Sequence, residues 1–212
     1  TPGRTKTRLV PGLGERGAAR LYRAFVLDVL DQVGAVPGLD AEFWSSTDPG
    51  HGDLDFLPED IRRRAQPAGD LGSRMYAAME AGLRRCQASM VLGTDAPTLR
   101  ASYLKLAMDW LLASDGPELV LGPAADGGYY LIGVRVLRPG LFSGVRFSSE
   151  HTLKDTVTAA RDIGLSVALL PPWYDVDEGD DLRLLRTELR LSASVAPNTR
   201  VALAELGPMP TT

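Results

Sequence analysis

The sequence has 212 residues, about the length of one large domain, and its 44% hydrophobic and 24% charged residues are typical of a globular protein. Lys and Arg total 23 against 27 Asp and Glu, and the net charge of -4 argues against a nucleic-acid-binding protein. The single cysteine excludes a disulfide framework, and neither a membrane span nor a signal peptide is apparent. We therefore expect one cytoplasmic domain over residues 1–212, with no nucleic-acid or membrane partner.

The predicted helices and strands alternate along the chain. In order, we expect a helix over 14–33, a strand over 42–46, a helix over 71–85, a strand over 89–94, a helix over 101–113, strands over 119–122 and 129–134, a helix over 152–163, a strand over 165–170, a helix over 182–191 and a last helix after Pro197. This alternation predicts an α/β fold in which helices cover both faces of a sheet.

The start of the chain departs from that pattern. It opens at Pro2 and Gly3 with a loop, where an α/β sheet of this kind normally has its central strand. We expect the first strand to be missing from the 212 residues.

A glycine motif follows this first loop. Residues 12–17 read Gly-Leu-Gly-Glu-Arg-Gly and match the dinucleotide fingerprint, which requires an apolar strand directly upstream. Residues 6–11 are instead cationic and end in Pro11. The motif therefore favours a loop that leads into a helix over a dinucleotide site.

Three cations alternate in the first loop. Arg4, Lys6 and Arg8 stand in an otherwise acidic protein, and alternation in an extended segment would put all three on one side. There they could clamp successive phosphates. A solvated basic turn is the alternative interpretation.

Carboxylates follow two of the predicted strands. Asp95 comes directly after the strand over 89–94, and Asp175 and Asp177 follow the strand over 165–170. Ligands of open α/β sheets lie at the carboxyl ends of strands, and Mg²⁺ binds one or two carboxylates together with phosphates. The alternative is that Asp177 caps the helix that runs through Leu182.

A glycine pair joins two strands. Asp126, Gly127, Gly128 and Tyr129 are typical of a tight hairpin turn, which is the commoner explanation for this sequence. Asp126 and Tyr129 could still face a substrate, because glycines let the backbone approach a ligand closely.

A second glycine-bracketed loop opens the helix over 71–85. Gln66, Gly69 and Asp70 lie in it, where backbone N–H groups and the carboxylate could be presented to a ligand. His51 and His151 are too far apart in sequence to indicate a metal cluster or a Ser-His-Asp triad.

Five segments in this order resemble a known bacterial family. They read Pro-Gly-Arg-Thr-Lys-Thr-Arg-Leu at 2–9, Gly-Asp-Leu-Gly-Ser-Arg-Met at 69–75, Gly-Thr-Asp-Ala-Pro-Thr-Leu at 93–99, Gly-Pro-Ala-Ala-Asp-Gly-Gly-Tyr-Tyr-Leu at 122–131 and Pro-Trp-Tyr-Asp-Val-Asp at 172–177. The chain resembles the GT-A-fold radical-SAM/selenodomain-associated transferases. It is more distantly similar to the guanylyltransferases of coenzyme F420 and molybdenum-cofactor biosynthesis. The resemblance implies a single GT-A domain with a mixed, mostly parallel sheet.

The resemblance also implies roles for these residues. Arg4, Lys6 and Arg8 would grip nucleotide phosphates, with Lys6 and Arg8 acting in catalysis. Gln66, Gly69 and Asp70 would contribute to the nucleotide site. Asp95 would hold Mg²⁺ or Mn²⁺, with Asp175 and Asp177 completing the metal site. Asp126, Gly127, Gly128 and Tyr129 would meet the acceptor.

Three functions remain open at this point. The first is nucleotidyl transfer from a nucleoside triphosphate to a small phosphorylated or oxyanion acceptor, with release of pyrophosphate. The second is glycosyl transfer from a nucleotide sugar, with Asp126 as base or orienting group. The third is a catalytically inactive binding module.

The cationic loop favours nucleotidyl transfer, because a triphosphate needs more cations than a diphosphate neutralised by a metal. The expected partners are a nucleotide and a small-molecule acceptor, and a homodimer is left open.

Overall fold

The computed structural model describes residues 2–3, 5–192 and 194–207. The helices are α1 (Val10–Gly34), α2 (Leu71–Leu83), α3 (Ala101–Leu112), α4 (Thr152–Asp162), α5 (Gly179–Leu191) and α6 (Pro197–Leu206). The strands are β1 (Glu42–Ser45), β2 (Arg62–Ala65), β3 (Ser89–Leu92), β4 (Leu119–Pro123), β5 (Tyr129–Val134) and β6 (Val167–Leu169). Short 3-10 turns cover Thr7–Leu9 and Gly52–Leu54. None of the described helices is long and apolar enough to cross a membrane.

The strands form two sheets. The larger has the order β3-β5-β4-β6, in which β5 is antiparallel to both of its neighbours and β6 is parallel to β4. The smaller pairs β1 with β2 in parallel. This arrangement confirms the predicted α/β fold with a mixed sheet. Sequence analysis did not predict β2, whose residues are Arg-Arg-Arg-Ala and show no apolar alternation.

Helices pack on both faces of the larger sheet. Along β4, Leu119 and Leu121 belong to the apolar cluster that α2 and α4 cover, while Val120 belongs to the cluster that α3 covers. Successive strand residues point to opposite faces, so both faces of β4 are buried. A third cluster joins α1 to α5 and α6 through Phe25, Leu185 and other side chains.

A gap separates the two sheets. β1 and β3 do not pair within the described residues, and both line a cavity of about 270 Å³ between α1 and α2. Apolar side chains such as Val29, Leu30 and Leu92 contribute to its wall. A missing first strand stays a prediction.

The glycine motif at 12–17 lies inside a helix rather than a loop. A 3-10 turn, not a strand, precedes α1, and only Gly14 is non-helical, with φ +69°. The expectation of a loop leading into the helix is therefore wrong. Sequence analysis began the helix at residue 14, but a helical segment from Val10 already precedes Gly14, and the longer part of α1 follows it. The structure does not support the dinucleotide interpretation of this motif, because no strand precedes α1 among the described residues.

The junction of α1 and α6 depends on a buried carboxylate. Asp28 of α1 accepts hydrogen bonds from the backbone N–H groups of Asn198 (2.9 Å) and Thr199 (2.8 Å). It thereby caps α6, whose own N-cap residue is Ala196 and has no side chain suited to this.

Asp28→Ala is expected to lower the free energy of unfolding by about 2 to 3 kcal/mol, because two buried N–H groups lose their acceptor. Denaturant unfolding measures this. Asp31→Ala is the matched control, since Asp31 accepts only from the Asn198 side chain at an exposed position and should change stability by less than about 1 kcal/mol. Equal losses in the two variants would contradict the capping role.

Candidate functional site

A cavity lies at the carboxyl end of β3 and beside the turn between β4 and β5. Its volume is about 550 Å³, within the range of small-molecule sites. Polar or aromatic side chains that line it include Tyr22, Trp44, Gln66, Arg74, Asp95, Asp126, Tyr129 and Asp175. Several predicted site residues therefore share one cavity.

Lys6 contacts two carboxylates, and one of them, Asp95, lines this cavity. Its Nζ lies 2.8 Å from Asp95 Oδ1 and donates to Asp177 Oδ1 and to the Val176 carbonyl, both at 2.6 Å. The Lys6 side chain is only 5% exposed, whereas the Asp95 and Asp177 side chains are 41% and 40% exposed. The ammonium group is thus buried beneath two carboxylates that still reach solvent.

The backbone explains why these residues meet. The Val176 N–H donates to the Asp95 carbonyl (2.8 Å), which joins the segment after β6 to the segment after β3. Val176 is fully buried, and its neighbours Asp175 and Asp177 are only partly buried. Asp175 then lines the cavity, and Asp177 contacts Lys6.

Asp177 is not the helix cap that the alternative interpretation proposed. Glu178 is the N-cap residue of α5, and the Asp181 side chain accepts from the backbone N–H groups of Asp177 (3.0 Å) and Glu178 (2.8 Å). The Asp177 carboxylate is therefore free of capping and pairs with Lys6.

The cationic loop is not extended, so its predicted alternation is wrong. Lys6 has a left-handed backbone (φ +50°), and the 3-10 turn begins at Thr7. Lys6 is consequently buried, whereas Arg8 is 70% exposed and contacts Glu178 at 3.1 Å. Arg4 lies outside the described residues. Lys6 and Arg8 do not form a row on one side.

Two of the three carboxylates predicted to hold a metal ion converge on one cation. Lys6 Nζ lies 2.8 Å from Asp95 Oδ1 and 2.6 Å from Asp177 Oδ1. Among the described residues, no three His, Cys, Asp or Glu side chains are placed to hold a metal ion together. Two carboxylates completed by substrate phosphates are a usual Mg²⁺ environment. The metal roles of Asp95, Asp175 and Asp177 stay predictions.

Burial shifts the acidity of two carboxylates at the site. It raises the pKa of Asp95, which the Lys6 ammonium lowers and the Asp177 charge raises further. Burial also raises the pKa of Asp175 to about 6, and the negative charge of Asp126 adds to this shift. A cavity carboxyl with a pKa near 6 is typical of functional sites.

Asp175→Asn is expected to stabilise the metal-free protein above pH 6. The pKa of Asp175 is higher in the folded state than its ordinary value of about 3.9, so ionisation costs stability as the pH rises from about 4 through 6. The variant escapes this loss, which we put at about 1 kcal/mol because the side chain is partly exposed.

Denaturant unfolding at pH 4.5 and pH 8 measures this effect. The variant should gain stability over the parent mainly at pH 8. Asp115→Asn, at an exposed position away from the cavity, should show no such change. A pH-independent difference for Asp175→Asn would contradict the assignment.

The segment predicted to meet the acceptor is a tight turn. Asp126 Oδ1 accepts from the Gly128 N–H (2.8 Å), and the Ala124 N–H donates to the Gly128 carbonyl (3.0 Å). Asp126, Gly128 and Tyr129 line the cavity, and Gly127 does not. Burial raises the pKa of the Tyr129 hydroxyl to about 12, against a smaller lowering by a hydrogen bond with Thr156. The predicted hairpin is thus confirmed, and it stands beside the cavity.

The second glycine loop is only partly at the cavity. Gln66 lines it and donates to the Trp44 carbonyl at 3.2 Å. Asp70 instead caps α2 by accepting from the Ser73 N–H at 2.8 Å, and neither Gly69 nor Asp70 lines the cavity. The structure therefore does not bring these two predicted nucleotide-site residues to the cavity, because the cap holds Asp70 at the helix end.

Among the cavity residues that were not singled out from the sequence are Tyr22 and Arg74. Tyr22 of α1 lines the cavity, and its hydroxyl accepts from Thr94 Oγ1 at 3.2 Å. Arg74 of α2 also lines it, and its Nε donates to the Gly69 carbonyl at 3.0 Å. Arg74 belongs to segment 69–75, one of the five segments that resemble the known family, so it could have been selected. No local sequence pattern marked Tyr22 as a site residue. Trp173, two residues before Asp175, packs against Tyr103 and does not line the cavity.

Comparison with known proteins places the chain in a family. No curated protein matches it. A solved structure from Desulfovibrio desulfuricans G20, provisionally described as a nucleotide-diphospho-sugar transferase, is 32% identical, with a TM-score of 0.83 over 97% of this chain and 92% of that chain. This similarity supports the GT-A-like fold; neither a radical-SAM association nor similarity to the coenzyme F420 enzymes is found. The model of the uncharacterized proteins conserved in bacteria (DUF2064) matches residues 29–149, more than half of the sequence. The chain belongs to this DUF2064 family.

Proposed function

We propose that the protein is a metal-dependent nucleotidyltransferase. The observation that carries the proposal is the convergence of Lys6 and Asp177 on Asp95, which lines the 550 Å³ cavity. Nucleotidyl transfer needs charge neutralisation and in-line positioning more than a side-chain nucleophile. A buried cation beside two carboxylates is suited to that task.

In the proposed reaction, an oxyanion of the acceptor attacks the α-phosphorus of a nucleoside triphosphate. A new P–O bond forms, the bond between the α-phosphorus and the oxygen bridging to the β-phosphate breaks, and pyrophosphate leaves. A phosphate acceptor is already ionised, so the step requires no base.

The residues divide this work between them. Asp95 and Asp177 would hold Mg²⁺ or Mn²⁺, which neutralises phosphate charge when bound. Lys6 and the exposed Arg8 would add positive charge at the phosphates. Asp126 and Tyr129, which line the cavity, would position the acceptor.

The test is a binding panel followed by an activity assay. The four nucleoside triphosphates and a set of nucleotide sugars are each tested for thermal stabilisation, with and without Mg²⁺ or Mn²⁺. We expect a metal-dependent rise in melting temperature with one triphosphate, and pyrophosphate release once an acceptor is supplied. Lack of stabilisation by every nucleotide would contradict the proposal and favour the inactive binding module.

Glycosyl transfer is the second candidate. The description of the similar Desulfovibrio structure favours it, and so does the pair of carboxyls, Asp126 and Asp175, that lines the cavity. In that reaction Asp126 would act as base or orienting group, and a nucleoside diphosphate would leave. Stabilisation by nucleotide sugars alone, with release of nucleoside diphosphate instead of pyrophosphate, would establish this alternative.

A further inference from the structure

Lys6 occupies the position that a divalent cation would take. Its Nζ lies within 2.8 Å of oxygen atoms from both Asp95 and Asp177. A bound Mg²⁺ or Mn²⁺ would use these same oxygens at about 2.1 Å. Two cations cannot share them, because like charges so close together repel strongly in a partly buried site.

We propose that Lys6 is an exchangeable internal cation that couples metal binding to nucleotide binding. In the empty protein its ammonium group holds the two carboxylates and opposes entry of the metal. When a nucleotide arrives, its phosphates draw Lys6 away, and the freed carboxylates accept the metal. This inference rests on the proposed function and adds an order to it: metal alone binds weakly, and metal with nucleotide binds tightly.

Charge balance supports the exchange. With Lys6 in place, one positive charge faces two carboxylates. Removal of the ammonium group without replacement would leave a partly buried pair of like charges, which is unfavourable. Lys6 therefore leaves readily only if another cation takes its place.

The side chain of Lys6 can make this movement without the backbone. Leu9, three residues further on, is only 2% exposed and packs in the same core cluster as Phe25 and Val176, so the segment itself is held in place. The Lys6 ammonium group ends a flexible four-carbon chain, and rotation of that chain can carry it from the carboxylates to a bound phosphate.

The test measures Mn²⁺ affinity by titration calorimetry and by electron paramagnetic resonance of free Mn²⁺. It uses the 212-residue chain alone and with each α,β-methylene analogue of the four nucleoside triphosphates. In the unmutated chain, one analogue should tighten Mn²⁺ binding by about tenfold or more, within the usual range of coupling between sites. Because this measurement requires no substitution, it does not depend on whether a variant folds.

Lys6→Met supplies the decisive comparison, because Met keeps most of the side-chain length and removes the charge. It should bind Mn²⁺ alone about tenfold more tightly than the parent, and the analogue should no longer tighten Mn²⁺ binding. Arg8→Met is the matched control: Arg8 is exposed and does not contact Asp95 or Asp177, so Mn²⁺ affinity without nucleotide should match the parent.

Failure of this inference can be told apart from failure of the proposed function. If Asp95→Asn abolishes Mn²⁺ binding but Lys6→Met binds Mn²⁺ no more tightly than the parent, the metal site stands and the exchange is overturned. If no analogue tightens Mn²⁺ binding to the unmutated chain, the coupling is also overturned. If Asp95→Asn binds Mn²⁺ as the parent does, the metal site itself fails, and the proposed function with it.

Discussion

Asp95→Asn is expected to lower the rate of the metal-dependent reaction by about 100-fold or more, the effect typical of removing one preorganised electrostatic contact. The amide keeps the size of the side chain but removes the charge that faces Lys6 at 2.8 Å. Lys6 retains Asp177 and the Val176 carbonyl, both at 2.6 Å, so the fold should persist. Loss of activity with little loss of stability is therefore the expected result.

Pyrophosphate release and thermal unfolding check this result together. Asp115→Asn removes the same charge at an exposed position away from the cavity and should leave both quantities unchanged. If Asp95→Asn kept its activity while binding nucleotide as the parent does, the carboxylate would have no part in the reaction. If the variant lost stability and activity to the same extent, Asp95 would be structural.

Gly127→Ala is expected to destabilise the protein by about 3 kcal/mol and to impair acceptor binding. Gly127 has φ +87°, and a Cβ atom there would lie 2.4 Å from the Glu150 carbonyl oxygen and 2.6 Å from the Glu150 Cα atom. Both obstacles are backbone, so they cannot rotate away. The turn must move, and it carries Asp126 and Tyr129 away from the cavity.

Gly140→Ala separates the two causes of this loss. Gly140 has a similar φ of +91°, but its nearest neighbour would be Ile163 Cγ2 at 3.5 Å, an ordinary contact. This control should cost about 1 kcal/mol, from backbone strain alone, and should leave the cavity unchanged. Denaturant unfolding of both variants gives the comparison. Equal losses of stability in the two variants would mean that the turn relieves the contact with Glu150 at little energetic cost.

The parts of the site that follow strands were predictable from the sequence. Asp95 follows β3, Asp126 follows β4, and both line the cavity because open α/β sheets place ligands at strand ends. The hairpin turn was equally readable, since Asp126 and the two glycines after it have a local conformational preference.

The position of Lys6 was not predictable, because its partners lie far away in sequence. Asp177 is 171 residues from Lys6, and no local pattern records that contact. The alternating cations instead predicted an extended loop. In the structure Lys6 has a left-handed backbone, a 3-10 turn follows it, and its ion pairs are with residues far away in the sequence. The helix cap raised a similar difficulty. Asp177 is the residue type preferred at an N-cap, yet Glu178 holds that position, in a capping box with Asp181.

Strand β2 was missed for a different physical reason. Three arginines at 62–64 give no apolar alternation, and the strand forms by parallel backbone pairing with β1. Acids nearby balance these charges only in part, because the three arginines and Arg85 together face three acids, Asp40, Glu42 and Asp55.

These arginines also bear on how the molecule avoids self-association. β2 is an outer strand of the smaller sheet, and an unpaired outer strand can recruit a strand from another molecule. A second copy adding at this edge would bring its own Arg-Arg-Arg run alongside the first, and the like charges would repel. The three arginines that kept β2 from being predicted thus oppose self-association. Their repulsion is strongest in dilute salt, because dissolved ions screen it.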